Sequence, residues 1–193
     1  MSLDLESANR TLGGLRPYPV AVTTVADGRV GGLMSLSAGA AAIVPEAPRV
    51  TISLTKYNLT HDMVLSSGVF AMHLLASDPE IVDASLAILM GLGGSSGRDG
   101  DKIAPFATKP GVTGAPILLD ALSYVEGRVV HALDVEESTI FVADVVGAET
   151  LRAGHRLNVG EAWSKLPAEW IEQYETNHVP QVDSARRNRG LLT

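Results

Sequence analysis

Four polar side chains between a predicted strand and a predicted short helix could together bind an anion. They lie in the segment SLTKYNLTHDMVLSSG and are Lys56, Asn58, Thr60 and His61. The first turn of a helix has unpaired N–H groups and the positive end of the helix dipole, and such a site binds phosphate well. Thr60 has the chemistry of an N-cap residue and adds a hydroxyl, while Lys56 adds a full positive charge. These residues also fit a simpler interpretation, in which Thr60 only caps the helix and Lys56 is solvated.

Other kinds of catalytic or metal site find little support in the sequence. The chain has no cysteine, which excludes disulfides, thiol catalysis and zinc–thiolate sites. Its histidines show no H-x-x-x-H spacing, so we expect no metal site. Ser67 lacks the G-x-S-x-G pattern of a nucleophile elbow. The GLGGSSG stretch at 91–97 is similar to a glycine-rich phosphate loop, but it follows a predicted helix rather than a strand, which favours a flexible loop.

Composition and charge narrow the class of protein. The chain has 193 residues, of which 46% are hydrophobic and 19% charged, and this balance predicts one folded domain. The net charge of −7 argues against nucleic acid as a partner, because phosphate neutralisation needs a basic face. The one basic cluster, ARRNRG at 185–190, is interpreted as a solvated tail. No apolar run is long enough to span a bilayer, and MSLDLESANR has no apolar signal-peptide core, so we expect a cytoplasmic protein without a membrane partner.

The elements that would position the polar segment are mostly strands. YPVAVTTVADGRVGGLMSLS predicts a hairpin that turns at Asp27-Gly28, with a bulge or a close backbone approach at Gly31-Gly32. Two long strands on either side of DVEE predict a second hairpin. A helix is predicted from an Asp78 cap to Gly91, and a short helix is predicted to begin at Pro167. Because helices do not alternate with strands, a β-barrel with appended helices fits better than a doubly wound sheet.

Several segments, taken in order, resemble the flavin reductase-like family, whose fold is the FMN-binding split barrel. They are PYPVAVTTVADGRVGGLMSLSAGAAAIVPEAPRVTISL, KYNLTHDMVLSSGVFAMHLL, DKI at 101–103, and GAPILLDALSYVEGRVVHALDVEESTIFVADVVGAE. The resemblance covers roughly residues 15–150. It implies a mainly β fold, an antiparallel split β-barrel of Greek-key type with peripheral helices, that forms a homodimer with FMN at the subunit interface. We expect a barrel domain at 1–152 and a C-terminal extension at 153–193 that packs on the barrel or on the dimer partner.

The resemblance also implies which residues hold the cofactor. Ser35 and Ser37 match the flavin-loop positions, with Met34 and Leu36 beside them, and their hydroxyls and backbone amides would meet the ring edge and ribityl chain. Lys56 and Thr60 match the phosphate positions, with Asn58 and His61 as weaker neighbours. No catalytic side chain and no metal ligand is assigned, because the cofactor itself supplies the hydride chemistry.

The implied activity is NAD(P)H-dependent flavin reduction with FMN, or alternatively FAD, and a monooxygenase is one destination for the reduced flavin. Three departures from the family pattern bear on the electron donor. Ser138 stands where many members have His, His73 stands where Asn is common, and Glu136 and Glu137 would repel a dinucleotide phosphate if they point inward. Two alternatives therefore stay open, a flavoprotein with another donor or substrate and a non-catalytic module that binds flavin or only dimerises.

Overall fold

The computed structural model describes residues 4–192, and most of its core is one antiparallel sheet. The strands are β1 (Val20–Ala26), β2 (Arg29–Ser35), β3 (Ala38–Ala40), β4 (Arg49–Thr55), β5 (Val69–Leu74), β6 (Thr108–Pro110), β7 (Pro116–Leu118), β8 (Ser123–Asp134) and β9 (Ser138–Thr150). The helices are α1 (Leu5–Gly14), α2 (Leu59–Ser67), α3 (Val82–Gly93), α4 (Val159–Lys165) and α5 (Ala168–Asn188). The large sheet curls in the order β2-β1-β5-β8-β9-β4-β3, and β6 pairs with β7. The predicted mainly β, antiparallel class with peripheral helices is confirmed.

The first hairpin has the turn that its sequence predicts. Asp27 and Gly28 both have positive φ, of 50° and 75°, as the two central residues of a tight hairpin turn require. Strand β1 pairs with β2 from Val20 opposite Ser35 to Ala26 opposite Arg29. This register carries the chain into the Ser35–Ser37 segment at the end of β2.

Two apolar clusters fill the space on the two sides of the sheet. Inside the curl, the largest fully buried side chains come from β4, β5 and β9 and are Ile52, Leu54, Phe70 and Phe141. On the other side, α3 packs against β1 and β2. Gly32 is needed here, since a Cβ atom would lie 2.8 Å from the Val22 carbonyl oxygen and 2.9 Å from Ile103 Cδ1. Of the two features predicted at Gly31-Gly32, the close backbone approach is confirmed at Gly32, and the β1–β2 register continues there without a bulge.

Two predicted helix starts are wrong. Helix α2 begins at Leu59 with Asn58 as its N-cap residue, so Thr60 lies within the first turn. Helix α3 begins at Val82 after Ile81, and it ends at Gly93 rather than Gly91. Asp78 instead accepts hydrogen bonds from the backbone N–H and ring Nδ1 of His155, at 2.6 and 2.8 Å. The Asp78 carboxylate, which was predicted to cap the helix, is therefore hydrogen-bonded to His155 instead.

The short helix predicted at Pro167 is much longer than expected. Pro167 is the N-cap residue of α5, which runs for 21 residues and takes in most of the basic ARRNRG segment. Trp170 fastens this helix to the barrel, because its ring packs on the α3 cluster and its Nε1–H donates to the Met90 carbonyl oxygen at 3.3 Å. Tyr174 stacks on Trp170, with ring centroids 5.2 Å apart and planes 17° apart. Among residues 4–192, no helix is both long and apolar enough to cross a membrane.

Candidate functional site

A cavity of about 490 Å³ lies where the end of β2, the end of β4 and helix α5 meet. Five of the eight sequence-predicted cofactor residues line it, and they are Met34, Ser35, Leu36, Ser37 and Asn58. The other three, Lys56, Thr60 and His61, lie outside its lining. The structure therefore brings the predicted flavin loop together with Asn58, while the predicted phosphate pair, Lys56 and Thr60, does not line this cavity.

The predicted flavin loop is hydrogen-bonded to β4. The Ser37 N–H donates to Ser35 Oγ at 3.1 Å, which closes a tight turn at the end of β2. The Ser53 N–H donates to the Ser37 carbonyl oxygen at 2.9 Å. Ser53 Oγ is in turn 3.2 Å from Ser138 Oγ, so hydroxyls from β2, β4 and β9 meet along one wall of the cavity. A ligand with several hydrogen-bonding heteroatoms at its edge would fit this wall.

Lys56 lies beside the cavity lining, next to Thr55, and its side chain forms an ion pair with Asp134. Its Nζ donates to both carboxylate oxygens of Asp134 at 2.7 Å, and its side chain is 30% exposed. The hydrogen bonds from Lys56 and from the Glu136 backbone hold the pKa of Asp134 below its ordinary value. The role of Lys56 as a phosphate ligand stays a prediction.

Thr60 and His61 are buried within the fold, at 3% and 4% exposure. His61 connects α2 to β9, because its Nε2 is 2.9 Å from Thr139 Oγ1 and its ring lies 5.9 Å from the Phe141 ring. The buried positions of Thr60 and His61 follow from the residue at which α2 begins. Because α2 begins at Leu59, Asn58 occupies the boundary position beside the cavity, and Thr60 and His61 turn inward. Their cofactor roles also stay predictions.

Asn58 belongs to a hydrogen-bonded group that also includes a residue the sequence analysis missed. Its Nδ2 donates to Thr55 Oγ1 at 2.6 Å and to Gln181 Oε1 at 3.1 Å. Thr55 Oγ1 also donates to Gln181 Oε1 at 3.1 Å. Asn58 makes no side-chain hydrogen bond that caps α2. Gln181 therefore fastens helix α5 to the edge of the cavity.

Helix α5 and the segment after it form one whole side of the cavity. The lining residues from this region are Tyr174, His178, Gln181, Val182, Ala185, Arg186, Arg189 and Leu191. Arg186 and Arg189 are more than half exposed, as the interpretation of ARRNRG as solvated predicts, but both also line the cavity. One sequence feature could have indicated that this helix packs on the barrel. Trp170, Tyr174 and His178 are spaced four residues apart, which places three rings on one face of a helix. Burial raises the pKa of the Tyr174 hydroxyl above its ordinary value.

The charged groups at the cavity are mostly positive. Among the described residues, Arg16, Arg186 and Arg189 line it together with one acid, Glu137. Arg189 Nε lies 3.4 Å from Glu137 Oε2 and 3.9 Å from Glu136 Oε2. Glu137 does face the cavity, as the sequence analysis considered, but Arg189 offsets its charge. The cavity therefore combines apolar walls, hydroxyls and cations, and this donor set fits a flavin nucleotide.

His73 is buried and uses both ring nitrogens within the fold. Its Nδ1 is 3.1 Å from the Ala21 carbonyl oxygen, and its Nε2 is 3.1 Å from the Leu118 backbone nitrogen. Because a carbonyl only accepts and an amide N–H only donates, the proton lies on Nδ1 and the ring is neutral. Burial lowers the pKa of His73 to about 4. His73 therefore acts as a structural link between β5, β1 and β7.

Two curated proteins show partial similarity to this chain. A high molecular weight rubredoxin from Moorella thermoacetica is 30% identical over 113 residues, which is 58% of this chain and 47% of that protein. A ferric-chelate reductase (NAD(P)H) from Archaeoglobus fulgidus is 29% identical over 105 residues, which is 54% of this chain and 59% of that protein. The chain thus spans about half the length of these curated relatives.

The fold and the family are shown by two further comparisons. The structure of nitrilotriacetate monooxygenase component B from Mycobacterium thermoresistibile aligns with a TM-score of 0.65 at 22% identity, over 86% of this chain and 92% of that one. This likeness confirms the predicted split-barrel fold. Residues 14–161, which include the Ser35–Ser37 loop and Asn58, match the flavin reductase like domain. The chain therefore belongs to the flavin reductase like domain family.

Proposed function

We propose that this protein is a flavin reductase that uses NADH or NADPH to reduce FMN bound in the cavity beside Ser35 and Ser37. The proposal rests on one observation: that loop, the hydroxyls of β4 and several arginines all line the same cavity. The family membership and the NAD(P)H named for the Archaeoglobus relative support the same activity. FAD is the alternative cofactor, because the open cavity sets no sharp limit on the length of the nucleotide.

The residues of this chain would bind and orient the flavin rather than react with it. When bound, the flavin supplies a ring that accepts hydride. Ser35 and Ser37 would donate to heteroatoms at the ring edge and ribityl chain, while Leu33 and Leu54 exclude water from one side. We assign no general acid or base, and Ser138 supplies only a hydroxyl where a histidine is common in the family. The eight predicted contacts, including Lys56, Thr60 and His61, form part of this proposal.

We also propose a destination for the reduced flavin and an oligomeric state. Release of reduced flavin to a monooxygenase is supported by the similarity to a monooxygenase component B. A homodimer is supported by exposed apolar side chains on the β8–β9 hairpin, namely Val130, Leu133 and Val146. Such side chains are candidates for a subunit interface. We further propose that residues 1–152 form the barrel domain and that residues 153–193 form an extension that packs on it. We also propose that the protein acts in the cytoplasm, where NADH and NADPH are available.

A steady-state assay tests the proposed activity. Oxidation of NADH or NADPH by the purified protein is expected to require added or bound FMN. The variant Ser35→Ala with Ser37→Ala should raise the KM for FMN, because it removes two hydroxyl contacts. Ser66→Ala is the matched control, since its Oγ only donates to the Met63 carbonyl oxygen within α2. Flavin binding without oxidation of either nucleotide would favour a flavoprotein with another donor. Failure to bind FMN would contradict both flavin interpretations.

A further inference from the structure

Two arginines near the end of α5 face the cavity although the chain as a whole is acidic. The net charge is −7, yet Arg186 and Arg189 both line the cavity. Both residues lie beyond the part of the chain that matches the family, which ends at residue 161. The family match therefore assigns them no role in the site.

Helix α5 holds these arginines over the cavity through contacts on either side of Tyr174. On the N-terminal side, Trp170 Nε1 donates to Met90, and the indole lies against Gly93 and Gly94. Beyond Tyr174, Gln181 Oε1 accepts from Thr55 and Asn58. Because the helix is attached on both sides, its last turns have a defined position at the cavity.

The arginines are better placed than Lys56 to meet a phosphate group in this cavity. Lys56 would first have to give up both of its hydrogen bonds to Asp134. Arg186 makes only a 3.1 Å pair with Asp183 on its own helix, and Arg189 makes longer pairs with Glu136 and Glu137. All of these groups are partly or largely exposed, and ion pairs of this kind stabilise a fold little.

A phosphate could therefore bind without displacing the acids, because Arg186 pairs through one Nη and Arg189 through Nε, so each guanidinium keeps other N–H donors. A guanidinium group presents paired N–H donors whose geometry matches two phosphate oxygens, and such charge-assisted hydrogen bonds are among the stronger ones in proteins.

We propose that Arg186 and Arg189 bind the phosphate groups of the nucleotide cofactor, so that the C-terminal helix determines the preference for phosphorylated ligands. This inference rests on the proposed function. The phosphate has two possible sources, the flavin nucleotide and the nicotinamide dinucleotide, and the experiment below separates them.

The test uses the full-length protein with Arg186→Gln and Arg189→Gln combined, and Arg187→Gln as the matched control. Arg187 is the exposed neighbour that does not line the cavity. Binding of FMN and of riboflavin, which lacks the phosphate, is measured by fluorescence titration, and the KM for NADH is measured in the same preparations. We expect the double variant to weaken FMN binding on the order of tenfold or more, with riboflavin binding changed less than about twofold. Arg187→Gln should change neither.

Each other outcome has a defined meaning. An unchanged preference for FMN over riboflavin, together with a raised KM for NADH only in the double variant, would assign the arginines to the dinucleotide phosphate. Equal losses for FMN and riboflavin, or no loss in any of the three measurements, would overturn the inference while leaving the proposed function intact. If the wild-type protein binds neither flavin, the proposed function itself fails.

Discussion

The side-chain oxygen of Gln181 accepts hydrogen bonds from Thr55 Oγ1 and Asn58 Nδ2, each at 3.1 Å. These contacts join residues separated by more than 120 positions in the chain. They attach α5 to the end of β4 and to the start of α2, at one edge of the cavity. We therefore expect access to the cavity from this side to depend on whether α5 stays attached.

Replacing Gln181 with Ala should loosen α5 and speed the exchange of flavin. The loss of two partly exposed hydrogen bonds should cost about 1 kcal/mol in the attachment of the helix. We expect faster flavin dissociation in stopped-flow measurements and less protection of residues 181–188 in hydrogen exchange. Gln173→Ala is the matched control, since Gln173 Nε2 donates only to Asn177 on the same helix. A dissociation rate equal to that of the wild type would show that α5 does not control access.

The two candidate phosphate sites can be compared with two double variants. Lys56→Ala combined with Thr60→Ala should weaken FMN binding more than riboflavin binding if the first turn of α2 holds the phosphate. Because Lys56 is already bound to Asp134, we expect a larger FMN-selective loss when Arg186 and Arg189 are replaced. Parallel titrations of both variants with both flavins make the comparison. The reverse order of the two losses would assign the phosphate to α2.

Stability should fall in mild acid because of the buried His73. Its pKa is lowered to about 4 in the folded protein, whereas an unfolded histidine titrates near pH 6.5. The unfolded chain therefore binds more protons between these two values, and the free energy of unfolding decreases as the pH falls from about 6.5 towards 4. The full difference is about 3 kcal/mol.

Urea unfolding at several pH values measures this effect. The variant His73→Asn should lose much of the pH dependence in that window, although it will be less stable at neutral pH because it disturbs the hydrogen bonds to Ala21 and Leu118. His131→Asn serves as the control, since His131 is exposed on β8. A wild-type curve that stays flat from pH 7 to pH 5 would argue against a neutral, buried His73.

Gly32→Ala should destabilise the barrel because there is no room for a Cβ atom. The added carbon would press on the Val22 carbonyl oxygen, which is backbone and cannot move aside without disturbing β1. We expect a loss of about 2 kcal/mol or more in the free energy of unfolding. In Gly39→Ala the new carbon would meet only Thr51 Oγ1 at 3.9 Å, and that change should be nearly neutral. Equal stability of the two variants would contradict the packing described for β2.

Much of the barrel could be predicted from short-range patterns. The Asp27-Gly28 turn and the DVEE hairpin are set by residues next to each other in the chain, and the Ser35–Ser37 loop follows from the first of these hairpins. The start of α2 was harder, because Asn58 and Thr60 are both good N-cap residues two positions apart. In the structure α2 begins at Leu59, and Asn58 is hydrogen-bonded to Thr55 and Gln181. The contact with Gln181 joins distant parts of the chain, so no local sequence pattern reveals it.

The contribution of α5 to the site could not be predicted for the same reason. Its aromatic spacing indicates a helix face, but it does not say what that face covers. The ARRNRG pattern correctly indicates that Arg186 and Arg189 are largely exposed, but it does not show that they line a cavity. They reach the cavity because Trp170 and Gln181 fix the helix through contacts with distant parts of the chain.

The absorption spectrum of the purified protein, recorded with FMN under anaerobic conditions before and after NADH or NADPH is added, tests the central claim most directly. We predict that the protein binds FMN and that at least one of the two dinucleotides bleaches the flavin absorption. A protein that binds no FMN, or whose bound flavin keeps its oxidised spectrum with both donors, would contradict the assignment as an NAD(P)H-dependent flavin reductase.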